Sequence, residues 1–536
     1  MSLFHLINPW FTLPVEFDRD IAGLSLDSRK IKAGYLFVAM PGEQVDGRDF
    51  IAAAIKQGAA AVIAEEKESS PFEKGGTEPA PAKAEERFNK VTWYDENKKI
   101  PYITLPHLKE IYGHIAARFY DYPSRKLQVI GVTGTNGKTS ITHFIAQILA
   151  RLGKPCGVIG TIGNGVPSAL QKTINTTPDA ITIQALLADF CQQGLHSVAM
   201  EVASHALDQH RVNGIEFAAT IFTNLTQDHL DYHGSMENYA ATKKRLFTEF
   251  KSPVRVLNAD DEYGKKWAEE FATSFPRRRE SRVLTFQTET GLDPRVRGND
   301  INSPPLTKGS RGDFAVFIEN ATFTQTNIHA TITSPWGSGE FSAPLLGQFN
   351  LSNLLAVITT LCALGENFDK VLEQLPHLTP VPGRMQLVTQ ENKPKVIVDY
   401  AHTPDALEKA LQTLVAYQPK ELWCVFGCGG DRDKTKRPIM GAIAARYADK
   451  IVLTDDNCRT EKSSDILNDI SAGIPAEKSY HTEADRALAI AYAITYADPH
   501  AMILVAGKGH EDYQEINGVR HFFSDVETAQ KCFLRD

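Results

Sequence analysis

The chain has 536 residues, of which 42% are hydrophobic and 23% charged, with a net charge of −8 and an isoelectric point near 6.1. That length implies about three or four domains, the composition is that of a soluble globular protein, and the acidic balance argues against general nucleic-acid binding. No stretch is long and apolar enough to span a membrane, the first twenty residues lack the order of a signal peptide, and seven scattered cysteines suggest neither a disulfide framework nor a metal knuckle, so a cytoplasmic location is expected.

In chain order, "YLFVAM" and "AAVIAE" predict strands around a helix-like "GRDFIAAAIKQGA". Residues 66–87, charged and rich in proline and glycine, read as a loop insertion. A second α/β unit begins near Leu105, and its strand "LQVIGV" runs into "GVTGTNGKTS", Gly131 to Ser140. The common phosphate loop G-x-x-x-x-G-K-[ST] would need glycine where Val132 stands, and here an extra glycine occupies position 134. Gly134 and Gly137 still permit close backbone approach to phosphate. Lys138 supplies a cation for the terminal phosphates, and Thr139 a hydroxyl for magnesium. Ile141, Phe144, Ile145, Ile148, Leu149 and Leu152 then mark one face of a helix. Its N-terminus would point at the anion.

The strand "HSVAM" ends at Glu201, placed as a Walker-B-type acid, with a structural strand-end carboxylate as the alternative. "TNLTQDHLDYHG" offers Asn224, Asp228, His229, Asp231 and His233, which fit a magnesium ligand or a packed loop better than zinc. The helix after it sets Met236, Tyr239, Ala240, Leu246 and Phe247 on one face, with Lys243 among them and Lys244 about 100° away. A lysine on an apolar stripe either snorkels or loses its proton and becomes open to modification. An uncharged amine can take up carbon dioxide as a carbamate and so become a metal ligand. Residues 276–313, basic and without periodicity, read as a second solvated insertion rather than a nucleic-acid tract. Beyond "VPGRMQ", the strands "KVIVDY", "LWCVFG", "KIVLTD" and "MILVAG" alternate with helices, which predicts a doubly wound parallel sheet. Ligands bind past the carboxyl ends of such strands. Ala401-His402, Cys428 to Arg432, Asp455 to Arg459 and Gly507 to Glu511 cluster there. The expectation is an α/β protein of three domains. Residues 1–104 form a small α/β domain, 105–380 a central P-loop ATPase-type parallel sheet, and 381–536 a Rossmann-like doubly wound sheet.

The stretches "GVTGTNGKTS", "EVASHALDQHRV", "FTNLTQDHLDYHGSMENYAATK", "GQFNLSN", "DYAHTPDALEKAL", "FGCGGDRDKTKRP" and "AGKGHEDY" resemble the Mur ligases. In particular they resemble members that add the third amino acid of the peptidoglycan stem to a UDP-muramoyl dipeptide. In that family G-x-x-G-x-N-G-K-T is the ordinary loop. The resemblance implies that Gly134, Thr135, Asn136, Gly137, Lys138, Thr139 and Ser140 hold ATP, with Asn350 and Asn353 at the adenine side. It also implies magnesium held by Thr139, Glu201, His229 and a carbamylated Lys243, and a catalytic set of Lys138, Lys243, Glu201 and His229. Leu26, Ser28, Glu43, Gln44 and Val45 match the uridine-binding stretch. Asn175, Thr176, Thr177, Ala203, Ser204, Gln209 and Arg211 match the muramoyl-dipeptide contacts, although Ala203 stands where the family often has serine.

The incoming amino acid would meet Arg432, Asp456, Asn457, Cys458, Arg459, Gly507 and Glu511. Diaminopimelate-adding members carry D-N-P-R at this point and lysine-adding members lack the arginine. Arg459 is kept and could pair bidentately with the far carboxylate of meso-diaminopimelate, while Cys458 in place of proline loosens the backbone before it. The same ligation with L-lysine is the alternative. Folylpolyglutamate synthetase shares the loop but not the uridine stretch. The implied chemistry is phosphorylation of the D-glutamyl carboxylate by ATP and attack of the amine on the acyl phosphate. A monomer is expected, with small-molecule substrates and no nucleic-acid or membrane partner.

Overall fold

A computed structural model of the chain describes residues 1–42, 45–66, 90–95, 99–173, 175–274, 282–288 and 315–534. The chain forms two compact units, residues 1–131, 155–218 and 245–252, and residues 132–154, 219–244 and 253–536. Among the described residues no helix is long and apolar enough to cross a membrane.

In the first unit, strands Gly23–Ser25, Tyr35–Ala39, Ala61–Glu65 and Ile100–Leu105 lie parallel in that order, and Lys90–Asp95 closes the sheet antiparallel. Alternation along the strands builds a core on each face, as a period of two requires. Phe37, Ala39, Val62 and Ala64 pack with Ile51, Ala54 and Ile55 of helix Ile51–Lys56. Leu36, Val38, Ala61 and Ile63 pack with Leu108, Tyr112 and Ile115 of helix Leu108–Phe119. In the same unit, Cys156–Gly160 pairs parallel with Ser197–Glu201.

In the second unit, strands Ala219–Phe222, Val254–Asn258, Arg282–Gln287 and Ala315–Phe323 run parallel, extended by antiparallel Ile328–Ser334 and Gly337–Ala343. This corrects the expectation that residues 276–313 are all loop. Arg282–Gln287 is an interior strand, with Leu284 and Phe286 each 1% exposed. Its six residues are short enough to vanish between the arginines before it and the polar run after it. Residues 275–281 and 289–314 lie outside the described residues, as does the first expected insertion after Glu66 up to Lys90.

The C-terminal sheet has the order Gln386–Val388, Lys395–Asp399, Met502–Ala506, Leu422–Phe426, Lys450–Leu453, His481–Thr482, parallel except for its first strand. Helices Pro404–Val415, Lys436–Tyr447 and Ser463–Ser471 pack on one face, and Arg486–Tyr496 and Asp525–Phe533 on the other. The sheet is doubly wound. On its second face Arg486 and Asp525, both with fully buried side chains, pair at 2.7 Å, and Arg486 also donates to the Ala506 and Asp455 carbonyls at the strand ends.

Candidate active site

The phosphate loop lies between strand Gln128–Thr133 and helix Lys138–Arg151, whose Ile141, Phe144, Ile145, Ile148 and Leu149 are buried as the periodicity predicts. Gly134 and Gly137 both have positive φ, and a Cβ at either would collide, at 1.9 Å from Thr223 Oγ1 or 2.5 Å from Asn353 Oδ1. The loop is gripped by the next strand end. The Thr135 N–H donates to the Asn224 carbonyl at 2.9 Å, the Asn136 N–H to Asn224 Oδ1 at 2.9 Å, and Thr223 Oγ1 to the Asn136 carbonyl at 2.6 Å. Asn353 stands beneath Gly137, and Asn350 behind it accepts from the Asn353 carboxamide at 3.2 Å, both buried.

Two lysine amines meet at one carbonyl. Lys138 Nζ donates to the Gly134 and Thr135 carbonyls, each at 2.8 Å, and Lys243 Nζ donates to the same Gly134 carbonyl at 2.9 Å. Lys243 is 1% exposed and lies over the Tyr239 ring at 4.4 Å. Burial first, and the Lys138 charge second, push its amine well below the ordinary lysine range, against a smaller opposite pull from Asp228. Helix periodicity decides between neighbours, because Lys244 instead pairs with Glu270 at 2.6 Å. His229, at φ +53°, has a half-exposed side chain 3.3 Å from Asp228 Oδ2, and partial desolvation with the Lys138 charge lowers its pKa against the pull of Asp228. Its imidazole is therefore neutral near pH 7, as a metal ligand must be. Among the described residues, no cluster of three or more His, Cys, Asp or Glu side chains is placed to hold a metal.

In the first unit, Glu201 is 1% exposed and accepts from the Thr161 N–H at 2.8 Å and the Thr161 hydroxyl at 3.1 Å. That hydroxyl pairs with Thr176. Thr177 Oγ1 donates to the Glu201 carbonyl and accepts from the Ala203 N–H, while Arg211 donates to the Thr177 carbonyl and to Gln209 Oε1. Thr176, Thr177, Glu201, Ala203, Gln209 and Arg211 thus form one bonded set. Ser204 opens the short helix Ser204–Asp208 beside it, and Asn175 is exposed. Leu26 and Ser28 flank Asp27, which caps the turn Ser28–Lys30, and Val45 is exposed. Glu43 and Gln44 lie outside the described residues.

The second unit brings the expected amino-acid residues together past the C-terminal strands. Lys508, fully buried, donates to Asn457 Oδ1 and Glu511 Oε2, each at 3.0 Å, and stands 3.7 Å from Asp456 Oδ1. Asn457 Nδ2 donates to Glu511 Oε2 at 2.9 Å, and Tyr400 Oη to Glu511 Oε1 at 3.4 Å. Arg459 Nη1 donates to the Gly430 carbonyl at 2.6 Å. Both Arg459 and Arg432 flank Gly429. Gly507, at φ +116°, leaves room for Asp456, since a Cβ there would lie 2.6 Å from Asp456 Oδ2. Cys458 is buried and bonded to Asp455, and burial pushes its thiol up to about 12. Beside this group a cavity of about 420 Å³ is lined by Asp231, Asp431, Arg432, Asp433, Lys434 and Glu461.

Two residues escape the sequence reading, and a third, Lys508, is read there only as part of the cluster past the strands. Arg384 donates to Thr139 Oγ1 at 3.3 Å while lying over the Tyr400 ring. Asp405 accepts from Thr226 Oγ1 at 3.0 Å and Asn136 Nδ2 at 3.4 Å. Lys508 organises the amino-acid group. Arg384 lies in "VPGRMQ", where no spacing rule links it to Thr139, while Lys508 in "AGKGHEDY" stands three residues before Glu511 and far in sequence from Asn457.

Three family models match the chain: Mur ligase family, catalytic domain, over residues 20–120; Mur ligase middle domain over 132–361; and Mur ligase, glutamate ligase domain, over 383–509. The UDP-N-acetylmuramoyl-L-alanyl-D-glutamate--2,6-diaminopimelate ligase of Chromobacterium violaceum is 44% identical over 96% of this chain and 94% of its own. That of Neisseria meningitidis serogroup B is 45% identical over 95% and 94%. A solved structure of a ligase of the same name aligns at 34% identity and TM-score 0.64 over 96% of this chain and 94% of that one. The MurF ligase of Thermotoga maritima, solved in complex with ADP, shares the fold at 18% identity and TM-score 0.57, over 97% and 98%. With near-full-length identity at this level, the chain belongs to the Mur ligase family.

Proposed function

We propose that the chain is an ATP-dependent ligase that joins meso-diaminopimelate to UDP-N-acetylmuramoyl-L-alanyl-D-glutamate in peptidoglycan precursor synthesis, acting as a cytoplasmic monomer. The observation that carries the reading is the convergence of Asp456, Asn457 and Glu511 around buried Lys508, with Arg459 two residues on from Asn457, in the same unit as the phosphate loop. The segments 1–104, 105–380 and 381–536 take the nucleotide sugar, ATP and the amino acid respectively.

A carboxylate is a poor electrophile, so the D-glutamyl oxygen first attacks the γ-phosphorus of ATP and ADP departs. Lys138, the loop N–H groups and the helix N-terminus offset the charge that spreads over the transferring phosphoryl group. The amine of diaminopimelate then attacks the acyl carbon, phosphate leaves, and one proton is released as the amide forms. Placing the reacting groups does most of the work. Arg459 takes the far carboxylate in a forked pair, and Glu511 the far ammonium.

Lys243 has the form that reacts with carbon dioxide. Its uncharged amine forms an N–C bond and loses a proton, and the Lys138 charge nearby would balance the carbamate anion. Within the second unit, Thr139, neutral His229 and the carbamate would then hold magnesium. Bound there, magnesium would supply charge neutralisation to the phosphates. Labelling the D-glutamyl carboxylate with oxygen-18 tests the route. One labelled oxygen should appear in the released phosphate for each ADP formed, and unlabelled phosphate would contradict the acyl phosphate.

A further inference from the structure

The segment Asp456–Arg459 is gripped from behind by a hairpin that begins two residues after Glu511. Its strands Tyr513–Ile516 and Val519–Phe522 pair antiparallel. On the outer side of that ladder, the Glu515 N–H donates to Asn457 Oδ1 at 2.9 Å and the Glu515 carbonyl accepts from the Arg459 N–H at 2.9 Å. The Asn517 N–H donates to the Arg459 carbonyl at 2.7 Å, and the Gln514 carboxamide to the Asp456 carbonyl at 3.2 Å. Arg459 sits at φ +50°, a region that residues with a side chain rarely occupy unless the surroundings impose it. Here both of its backbone polar groups are taken by the hairpin. Cys458 has no ring to fix the chain before it. The hairpin has little other packing of its own, with Ile516 41%, Val519 54% and Phe522 70% exposed.

We propose that this hairpin is the specificity-determining support of the amino-acid site. By holding Asn457 and the left-handed Arg459, it fixes the direction in which the guanidinium leaves the backbone. The far carboxylate of a diaminodicarboxylic acid then meets a fork placed by the hairpin and by the Gly430 carbonyl, to which Arg459 Nη1 donates. Residues Gln514, Glu515 and Asn517 are positioning residues, since they act through Asp456, Asn457 and Arg459. The proposal rests on the reading of Asp456–Arg459 as the amino-acid site.

The test is Glu515→Pro in the full-length enzyme. Proline removes one N–H on the outward side of the hairpin and leaves its ladder intact. Preference for meso-diaminopimelate over L-lysine, measured as a ratio of kcat/KM values, should fall by about tenfold, the effect of one lost hydrogen bond and some lost placement. KM for ATP and for the nucleotide sugar should stay within about twofold, since those groups lie elsewhere. Adding Cys458→Pro, which stiffens the same segment covalently, should restore most of the preference. Gln514→Leu, a milder surface change, should move the ratio in the same direction. An unchanged ratio in both Glu515→Pro and Gln514→Leu overturns the proposal, and so does a loss that Cys458→Pro fails to repair. Arg459→Ala separates the two readings. If it abolishes the preference while the hairpin variants do not, the site stands and the hairpin's role falls. If it leaves the preference intact, the site reading itself falls.

Discussion

Replacing Lys243 with methionine keeps a buried, unbranched apolar side chain of similar shape, one atom shorter, and removes its amine. In the unmodified chain the folded state holds that amine well below its ordinary pKa of 10.5, so the unfolded chain binds the proton more tightly. Stability of the parent protein should therefore rise with pH from the lowered folded value up to about 10.5, and each unit of depression costs about 1.4 kcal/mol below that window. The methionine variant carries no such penalty. In buffer free of carbon dioxide at pH 7 it should match or exceed the parent in urea unfolding, by upwards of about 1 kcal/mol, with a flatter pH dependence. Turnover should nevertheless fall by about a hundredfold or more, the usual effect of removing one preorganised charge from a phosphoryl-transfer site. High bicarbonate with a short carboxylic acid should partly restore turnover in Lys243→Ala, where the truncation leaves room. A methionine variant with parental turnover, or one destabilised by several kcal/mol, would refute the reasoning.

Lys244→Ala, which removes only a partly exposed pair with Glu270, should leave turnover within about twofold and stability within about 1 kcal/mol. Phe286→Asp should prevent stable folding, because it places a carboxylate on an interior strand, while replacing residues 289–312 by a short linker should keep turnover within a few-fold of the parent. His143 and His510 are both lowered to about 4, chiefly by burial. The unfolded chain takes up their protons first, so stability is full above pH 6.5 and is lost as pH falls toward 4, by up to about 3 kcal/mol for each ring. Urea unfolding across that range should show the loss, and His143→Phe should lessen it. Asp525→Ala strands a fully buried guanidinium and should cost about 3–5 kcal/mol in the same assay.

What could be read from the sequence follows from how local each signal is. The phosphate loop, its strand and its helix lie within about thirty residues, and the expected positions Ile141 to Leu149 are buried, although Thr142, His143 and Ala146 are buried as well and Leu152 is only half-buried. The same rule separates Lys243 from Lys244, which differ by a third of a helical turn and by opposite environments. The C-terminal sheet is legible because its strands are uniformly apolar and end in polar clusters. Arg384 and Asp405 are not legible, because each reaches the phosphate loop from more than 200 residues away in sequence. The strand Arg282–Gln287 is hidden by its flanks, whereas the hairpin after Glu511 carries a readable Asn517-Gly518 turn and only its pairing with Asp456–Arg459 is invisible in sequence. Cys458 shows the limit most clearly. From sequence it loosens Arg459, whereas in the fold the hairpin bonds both backbone groups of Arg459, the Asp456 carbonyl and the Asn457 side chain.

The central claim is a reaction with a defined third substrate. ADP release should be followed with UDP-N-acetylmuramoyl-L-alanyl-D-glutamate and ATP, adding meso-diaminopimelate, L-lysine or no amino acid. With lysine the half-buried Arg459 guanidinium lacks its carboxylate partner, and a hydrogen bond to a charged group is worth about 1.5–3 kcal/mol, so turnover efficiency with diaminopimelate should exceed that with lysine by about tenfold or more. Without an amino acid, steady ADP release should be close to background. Lysine used as well as diaminopimelate would contradict the substrate assignment, and steady ADP release without any amino acid would contradict the ligase itself.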